Sequence, residues 1–127
     1  MRYLGSSHII AVADAEASSA FYREKLGFRR SSLELGPGWE VVEFGGCRIC
    51  IGECGDNDDW ISPASIPYHR WFAYIAVEEP ESLLSAFKQR GVNVTSEQTE
   101  DDGERNFSIE TPDGHQIMFG TGKSSEA

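Results

Sequence analysis

The sequence predicts an α+β fold built from two consecutive βαβββ modules. The main observation is an internal duplication, in which the strand segment IAV occurs at residues 10–12 and again at residues 75–77. Residues 46–52 (GCRICIG) likewise align with residues 114–120 (GHQIMFG). Each half also places a helical pattern directly after its first strand and ends that helix at a glycine. Self-similarity of this kind indicates that one structural unit occurs twice.

The first module begins with a short apolar strand at residues 8–12, whose β-branched residues suit a strand buried on both faces. Asp14 follows at the helix N-cap, where its carboxylate can accept from the free amides of the first turn. The helix ends at Gly27, because glycine can adopt the left-handed conformation that closes a helix. Three further strands are predicted at residues 29–35, 39–44 and 47–52.

The second module repeats this order from a strand at residues 71–77. A helix at residues 80–90 starts with Pro80, which is tolerated in the first turn because that amide has no helical partner. Gly91 ends this helix as Gly27 ends the first. Strands are then predicted at residues 92–96, 105–110 and 115–119.

The length of 127 residues fits a single domain over residues 1–127. Module one is assigned to residues 6–53, a linker to residues 54–70 and module two to residues 71–120. Because Trp60 and Ile61 make the linker too apolar for a free tether, we expect it to pack against the modules.

The composition excludes several classes of partner. There are 21 acidic and 11 basic residues, and the formal net charge is -10. Nucleic acid and anionic membrane both require a basic surface, so neither is an expected partner. No apolar run is long enough to cross a membrane, and the first residues lack the core of a signal peptide, so a cytoplasmic protein is expected. The two acidic segments, 53–59 and 97–104, indicate solvated loops or, alternatively, attraction of a cationic ligand.

The three cysteines do not form a metal-binding pattern. Cys47 and Cys50 lie on one predicted strand at an odd separation, so their side chains point to opposite faces. Neither a second cysteine pair nor a nearby histidine completes a set of four ligands with Cys54. We therefore expect three separate, reduced thiols.

Several of these motifs together resemble the vicinal oxygen chelate superfamily. They are Asp14, Phe21-Tyr22, Leu26-Gly27-Phe28, the repeated strand–helix unit, and Thr111-Pro112-Asp113-Gly114-His115 before the last strand. That superfamily includes glyoxalase I, bleomycin-resistance proteins, fosfomycin-resistance proteins and extradiol dioxygenases. The resemblance implies that the two modules form a curved mixed sheet around a concave cavity.

Metal-dependent members of this superfamily carry their ligands on the first and last strands of each module. Matched onto this sequence, those positions are Ser7, Cys50, Phe72 and Met118. The set lacks the imidazoles and carboxylates that a catalytic divalent metal requires. We therefore predict no metal, no other cofactor and no catalytic residue.

His8 lies one residue from the matched position at Ser7. A shift of one residue turns a strand side chain to the opposite face, and only a β-bulge would reverse that. We expect His8 to pack on the helix side of the sheet.

Strand alternation then predicts the side chains that line the cavity, if Ser7 faces inward. They form an apolar pocket with few polar groups, as small-molecule sites do. Arg48 either binds a carboxylate or phosphate or pairs with a loop acid at the rim. The predicted ligand-binding residues are Ser7, Ile9, Arg48, Cys50, Phe72, Tyr74, Gln116 and Met118, with Trp60 and Trp71 near the entrance.

Three functions stay open at this point. The first is a metal-free protein that binds a small, partly aromatic molecule, as the resemblance to bleomycin-resistance proteins implies, with antibiotic resistance as its role. The second is a metal-dependent lyase or dioxygenase of the glyoxalase type that uses His8 as a shifted ligand. The third is a metal-independent enzyme that uses Arg48, Tyr74 or Cys50. A homodimer is expected, because cavities in this superfamily are often completed between chains and the apolar linker residues need cover.

Overall fold

Two four-stranded sheets, one from each repeat, form the framework of the protein. The computed structural model describes residues 6–55, 62–65, 71–99 and 105–122. The first repeat contains β1 (Ser7–Val12), α1 (Ala15–Glu24), β2 (Arg29–Arg30), β3 (Trp39–Phe44) and β4 (Cys47–Glu53). A 3-10 turn at Pro63–Ser65 precedes the second repeat, which contains β5 (Trp71–Ala76), α2 (Pro80–Gln89), β6 (Asn93–Thr99), β7 (Arg105–Glu110) and β8 (Gln116–Gly120).

The strand order is the same in both sheets. It is β1-β4-β3-β2 in the first and β5-β8-β7-β6 in the second. In each sheet the first strand runs parallel to the last, and the other neighbours are antiparallel. The predicted α+β fold of two βαβββ modules with mixed sheets is therefore confirmed.

The helix ends follow from local chemistry. Asp14 caps α1, because its carboxylate accepts from the Ala17 amide at 3.0 Å. Glu53, at the end of β4, accepts from the Ala15 amide at 3.1 Å and so ties the same helix start to the sheet. Gly27 and Gly91 follow the two helices with φ values of 83° and 76°, as a left-handed closing residue requires.

The helices cover one face of each sheet, and the core lies between them. The core is one continuous cluster that includes both repeats. Its second half contains three phenylalanine rings, of which Phe107 and Phe119 stack at 5.2 Å and Phe87 meets Phe119 edge-on at 5.3 Å. Fully buried large side chains of the cluster are Tyr22, Phe87, Phe119, Leu26, Ile49, Ile51, Ile109 and Ile117.

The two repeats are also joined by polar contacts. Asp113, in the turn before β8, accepts from the Ala13 amide at 3.4 Å. The Arg90 guanidinium, just after α2, donates to the Lys25 carbonyl at 3.1 Å, where its positive charge complements the C-terminal end of the α1 dipole. These contacts attach each module to the helix ends of the other.

The strand limits agree with the sequence except at the edges of the sheets. β3 and β7 have the predicted limits, whereas β2 covers two residues instead of the predicted 29–35. The Ser31 hydroxyl accepts from the Leu33 amide at 3.1 Å, and this local turn takes the chain away from the sheet. β6 is longer than predicted and extends to Thr99. Trp60 and Ile61 lie outside the described residues, so the predicted packing of the linker is not described there.

Candidate functional site

Each sheet has a second face, opposite its helix, which we call the open face. Strand alternation identifies the open face, because residues adjacent to core residues along a strand point their side chains to the opposite side of the sheet. Ile10 is buried in the core, whereas Ile9 beside it is 73% exposed. Tyr74 is likewise 46% exposed between the buried residues Ala73 and Ile75. Large apolar side chains that are left exposed on one face are typical of a binding surface.

The first open face carries the predicted residues of module one. Ser7 pairs with Arg48 and Ile9 pairs with Cys50, so all four side chains share this face, as predicted. Val41 of β3 lies opposite Cys50 on the same face. Contact of these side chains with a ligand stays a prediction.

The second open face differs from the prediction at one residue. Tyr74 pairs with Met118 as expected, but a β-bulge between Trp71 and Ala73 places Trp71 opposite Gln116. The prediction that Phe72 shares the face of Tyr74 is wrong, because the extra residue of the bulge interrupts the alternation. Trp71, instead of Phe72, lies on the same face as Tyr74.

Phe72 lies at the seam between the two modules. Its ring meets the imidazoles of His8 and His115 edge-on, at centroid distances of 5.9 Å and 5.6 Å. It also packs against the core cluster as a partly buried side chain. The bulge therefore moves this aromatic ring from the cavity face into a contact between β1 and β5.

His8 lies on the helix side of the first sheet, as predicted. β1 pairs with β4 without any shift from Ser7 to Val12, so His8 shares its side with Ile10. The bulge that would turn His8 toward the open face does not occur in β1.

The residues at the matched metal positions do not fit a divalent metal. Ser7, Cys50 and Met118 offer a hydroxyl, a buried thiol and a thioether, and Phe72 has no donor atom. Across residues 6–55, 62–65, 71–99 and 105–122, no group of three histidine, cysteine or acidic side chains could hold a metal ion.

Two glycines at equivalent positions of the duplication support exposed aromatic rings. A Cβ on Gly52 would lie 3.0 Å from the Trp39 ring, and a Cβ on Gly120 would overlap the Tyr74 hydroxyl and the side chain of Asn106. The ring of Trp39 and the hydroxyl end of Tyr74 thus each lie over a residue that has no side chain. The sequence prediction missed Trp39, although the alignment of residues 46–52 with 114–120 already pairs the two glycines.

Hydrogen bonds fix the rings of the second open face. The Tyr74 hydroxyl donates to Asn106 Oδ1 at 3.1 Å and accepts from the Gly122 amide at 3.1 Å. The Trp71 indole donates to the Ser108 hydroxyl at 3.1 Å. Because these bonds hold the rings in place, little side-chain freedom is lost when a flat ligand contacts them.

Two grooves border the first open face. One, of about 410 Å³, lies beside Arg48 and the β3–β4 turn. The other, of about 380 Å³, lies beside Trp39 and is lined by Leu33, Leu35 and Val41, among others. Both volumes are in the range of small-molecule pockets.

His115 gives the seam a dependence on pH. The His115 side chain is buried, and its Nδ1 has no hydrogen-bond partner. Burial lowers the pKa of this imidazole from the usual 6.5, and the nearby Asp113 carboxylate partly opposes that shift. At a pH between the pKa of His115 in the unfolded chain and its lower pKa in the folded protein, the unfolded chain binds more protons than the folded protein. The free energy of unfolding therefore falls as the pH decreases below about 6.5.

We therefore expect the free energy of unfolding to fall less on acidification in His115→Phe than in the wild type. Phenylalanine keeps a ring against Phe72 but does not titrate. Chemical denaturation between about pH 7.5 and about pH 5.5 measures this difference. His8→Gln, which replaces the other imidazole in contact with Phe72, is the matched control. Equal slopes for His115→Phe and the wild type would contradict the assignment.

The chain belongs to the Glyoxalase/Bleomycin resistance protein/Dioxygenase superfamily, whose family model matches residues 5–119. A glyoxalase/bleomycin resistance protein from Catenulispora acidiphila DSM 44928 is 26% identical, with a TM-score of 0.68 over 93% of this chain and 97% of that chain. The structure of UcmS2 is 20% identical, with a TM-score of 0.74 over 95% and 99% of the two chains.

A lactoylglutathione lyase from Agrobacterium tumefaciens also shares the fold. It is 19% identical, with a TM-score of 0.69, and the match covers 96% of each chain. No curated protein matches this chain. Within the described part of the chain, neither helix is long and apolar enough to span a membrane. Members with different chemistries thus have this fold, so the function has to be argued from the site.

Proposed function

We propose that this protein binds a small, ring-containing molecule without a metal, on the open faces of its two modules. The observation that carries the proposal is the set of exposed rings, Trp39, Trp71 and Tyr74. Glycines lie beneath two of these rings, and hydrogen bonds hold two. A flat apolar ligand would stack on such rings, a contact worth about 0.5–1.5 kcal/mol for each aromatic pair beyond the area buried.

Catalysis by the same residues has less support. The Tyr74 hydroxyl already makes two hydrogen bonds, and Cys50 is buried. A cysteine nucleophile needs a base that generates the thiolate, and both described histidines, His8 and His115, contact Phe72 at the seam. A lyase or dioxygenase with His8 as a shifted metal ligand would need a bulge in β1, which pairs regularly. Binding is therefore the function that these contacts favour.

The test is binding of the neutral fluorophore N-phenyl-1-naphthylamine to protein that has been dialysed against a chelator. We expect saturable fluorescence enhancement with the same Kd before and after dialysis. Elemental analysis of the purified protein is the accompanying measurement. Stoichiometric zinc, nickel, iron or manganese, together with loss of binding on dialysis, would contradict the proposal.

We also propose that two copies associate to complete the cavity. Ile9 and Trp71 are 73% and 48% exposed on the open faces, and a second chain would cover them. Sedimentation equilibrium at micromolar concentration should give twice the mass of one chain. A single-chain mass would refute the dimer but leave ligand binding untouched. A role in antibiotic resistance and a cytoplasmic location are further proposals that follow from the resemblance and the composition.

A further inference from the structure

Arg48 has a cationic side chain without a partner in the described structure. Its side chain is half-buried, and its Nε is buried without a hydrogen-bond partner. Among the described residues no carboxylate lies within ion-pair distance of its guanidinium. Most acids of the two acidic loops lie outside those residues, so the predicted pairing of Arg48 with a loop acid stays a prediction. A buried donor of this kind costs free energy, so it calls for a partner.

The neighbouring groups leave the charge of Arg48 uncompensated. Glu43 lies opposite Arg48 on β3, but its carboxylate pairs with Arg29 Nε at 3.3 Å. Burial raises the pKa of the Cys47 thiol in the same groove, so this thiol is neutral near pH 7 and adds no negative charge. Among its described lining residues, the groove of about 410 Å³ thus has one positive charge without an ion-pair partner, in a chain of net charge -10.

The apolar part of the first open face starts beside this groove. Arg48, Cys50 and Gly52 alternate along β4 on that face, and Trp39 covers Gly52. Arg48 and Gly52 are four residue steps apart along the strand, which is roughly 13 Å. A ligand of that length would place an acidic group at Arg48 and its apolar body toward Trp39.

We propose that the groove beside Arg48 binds the oxyanion of a ring-containing organic acid. The guanidinium is suited to this, because its parallel N–H groups match the two oxygens of a carboxylate or sulfonate. This inference rests on the proposed binding function and narrows its ligand class to organic anions, in place of the cationic ligand that the acidic composition first suggested. An organic anion would also supply the partner that the buried Nε lacks.

Two fluorophores that share one ring system test the inference. 8-Anilinonaphthalene-1-sulfonate carries a sulfonate, and N-phenyl-1-naphthylamine is the same molecule without it. Arg48→Gln should raise the Kd of the sulfonate roughly tenfold, as expected for loss of a charge-assisted contact. The same variant should change the Kd of the neutral probe by less than about twofold.

Two further variants serve as controls. Arg105→Gln makes the same change of charge in the second module, where Arg105 pairs with Glu81 at 3.6 Å, and it should leave both Kd values unchanged. Glu43→Gln removes the carboxylate opposite Arg48 and frees Arg29, so it should tighten binding of the sulfonate alone. The melting temperature of Arg48→Gln should equal or exceed that of the wild type, because Arg48 has no ion-pair partner among the described residues.

The outcomes separate the two proposals. If both probes bind the wild type and Arg48→Gln weakens neither, or weakens both equally, the oxyanion site is wrong and the binding function stands. If neither probe binds the wild type, the binding function and the oxyanion site both fail.

Discussion

Replacing Tyr22 with alanine is expected to lower the free energy of unfolding by about 3–5 kcal/mol, the usual cost of removing a fully buried aromatic ring. The Tyr22 side chain is 0% exposed between α1 and the first sheet, and it meets Phe28 edge-on at 5.2 Å. The same substitution at Tyr74, on the open face, should cost only about 1 kcal/mol, the contribution of its hydroxyl hydrogen bonds. Urea denaturation of both variants measures the difference.

The Tyr22→Phe variant separates the contribution of the ring to stability from that of the hydroxyl. The Tyr22 hydroxyl is buried without a hydrogen-bond partner, so its removal should leave stability unchanged or increase it. Phe21 and Phe72 are both only partly buried and pack against the core, so the two tyrosines distinguish the faces better. Greater destabilisation by Tyr74→Ala than by Tyr22→Ala would show that the faces are assigned wrongly.

Replacing Gly120 with alanine is expected to weaken binding of N-phenyl-1-naphthylamine by about tenfold, the effect of losing one stacked ring with its apolar area. The new Cβ would overlap the Tyr74 hydroxyl and Asn106 Oδ1 and lie 3.0 Å from Tyr74 Cζ. The ring would have to leave its place and lose both hydrogen bonds. Overpacking of this kind should also cost about 1–3 kcal/mol of stability. Fluorescence titration and thermal unfolding of one preparation measure both effects.

Gly46→Ala is the matched control. A Cβ on Gly46 would meet no atom within 4 Å, and this glycine has no positive φ. The control should therefore bind the neutral probe as the wild type does. If Gly120→Ala binds the probe with the wild-type Kd while Tyr74 is displaced, the Tyr74 ring is not part of the site.

The duplication was enough to predict the fold. The repeated IAV segment and the two aligned glycine-bounded strands imply equal modules, and the pairing of Ile10 with Ile51 and of Ile75 with Phe119 reproduces that alignment. Helix ends were also predictable, because Asp14, Gly27 and Gly91 act through their own backbone or adjacent amides. Short-range chemistry of this kind is contained in the local sequence.

The candidate site was predictable only where alternation continues without interruption. Ser7, Ile9, Arg48 and Cys50 share a face because β1 and β4 pair regularly. The bulge at Phe72 was not predictable, because the sequence does not show that its ring contacts His8 of β1 and His115, the residue before β8. Trp39 was missed for a similar reason, since its ring is placed by Gly52 across the sheet.

Which arginine pairs with Glu43 is likewise a tertiary property. Both arginines have Glu43 on the neighbouring strand, and the sequence does not show which of them it pairs with. The structure pairs Glu43 with Arg29. Arg48 is thereby left on the first open face without an ion-pair partner among the described residues.

The most direct measurement of the central claim is a map of amide and indole N–H chemical shifts during titration with N-phenyl-1-naphthylamine. We expect the largest changes at the indole groups of Trp39 and Trp71 and at the amides of Cys50 and Met118, with α1 and α2 nearly unaffected. Changes confined to the helices, with both indole signals unmoved, would contradict binding on the open faces.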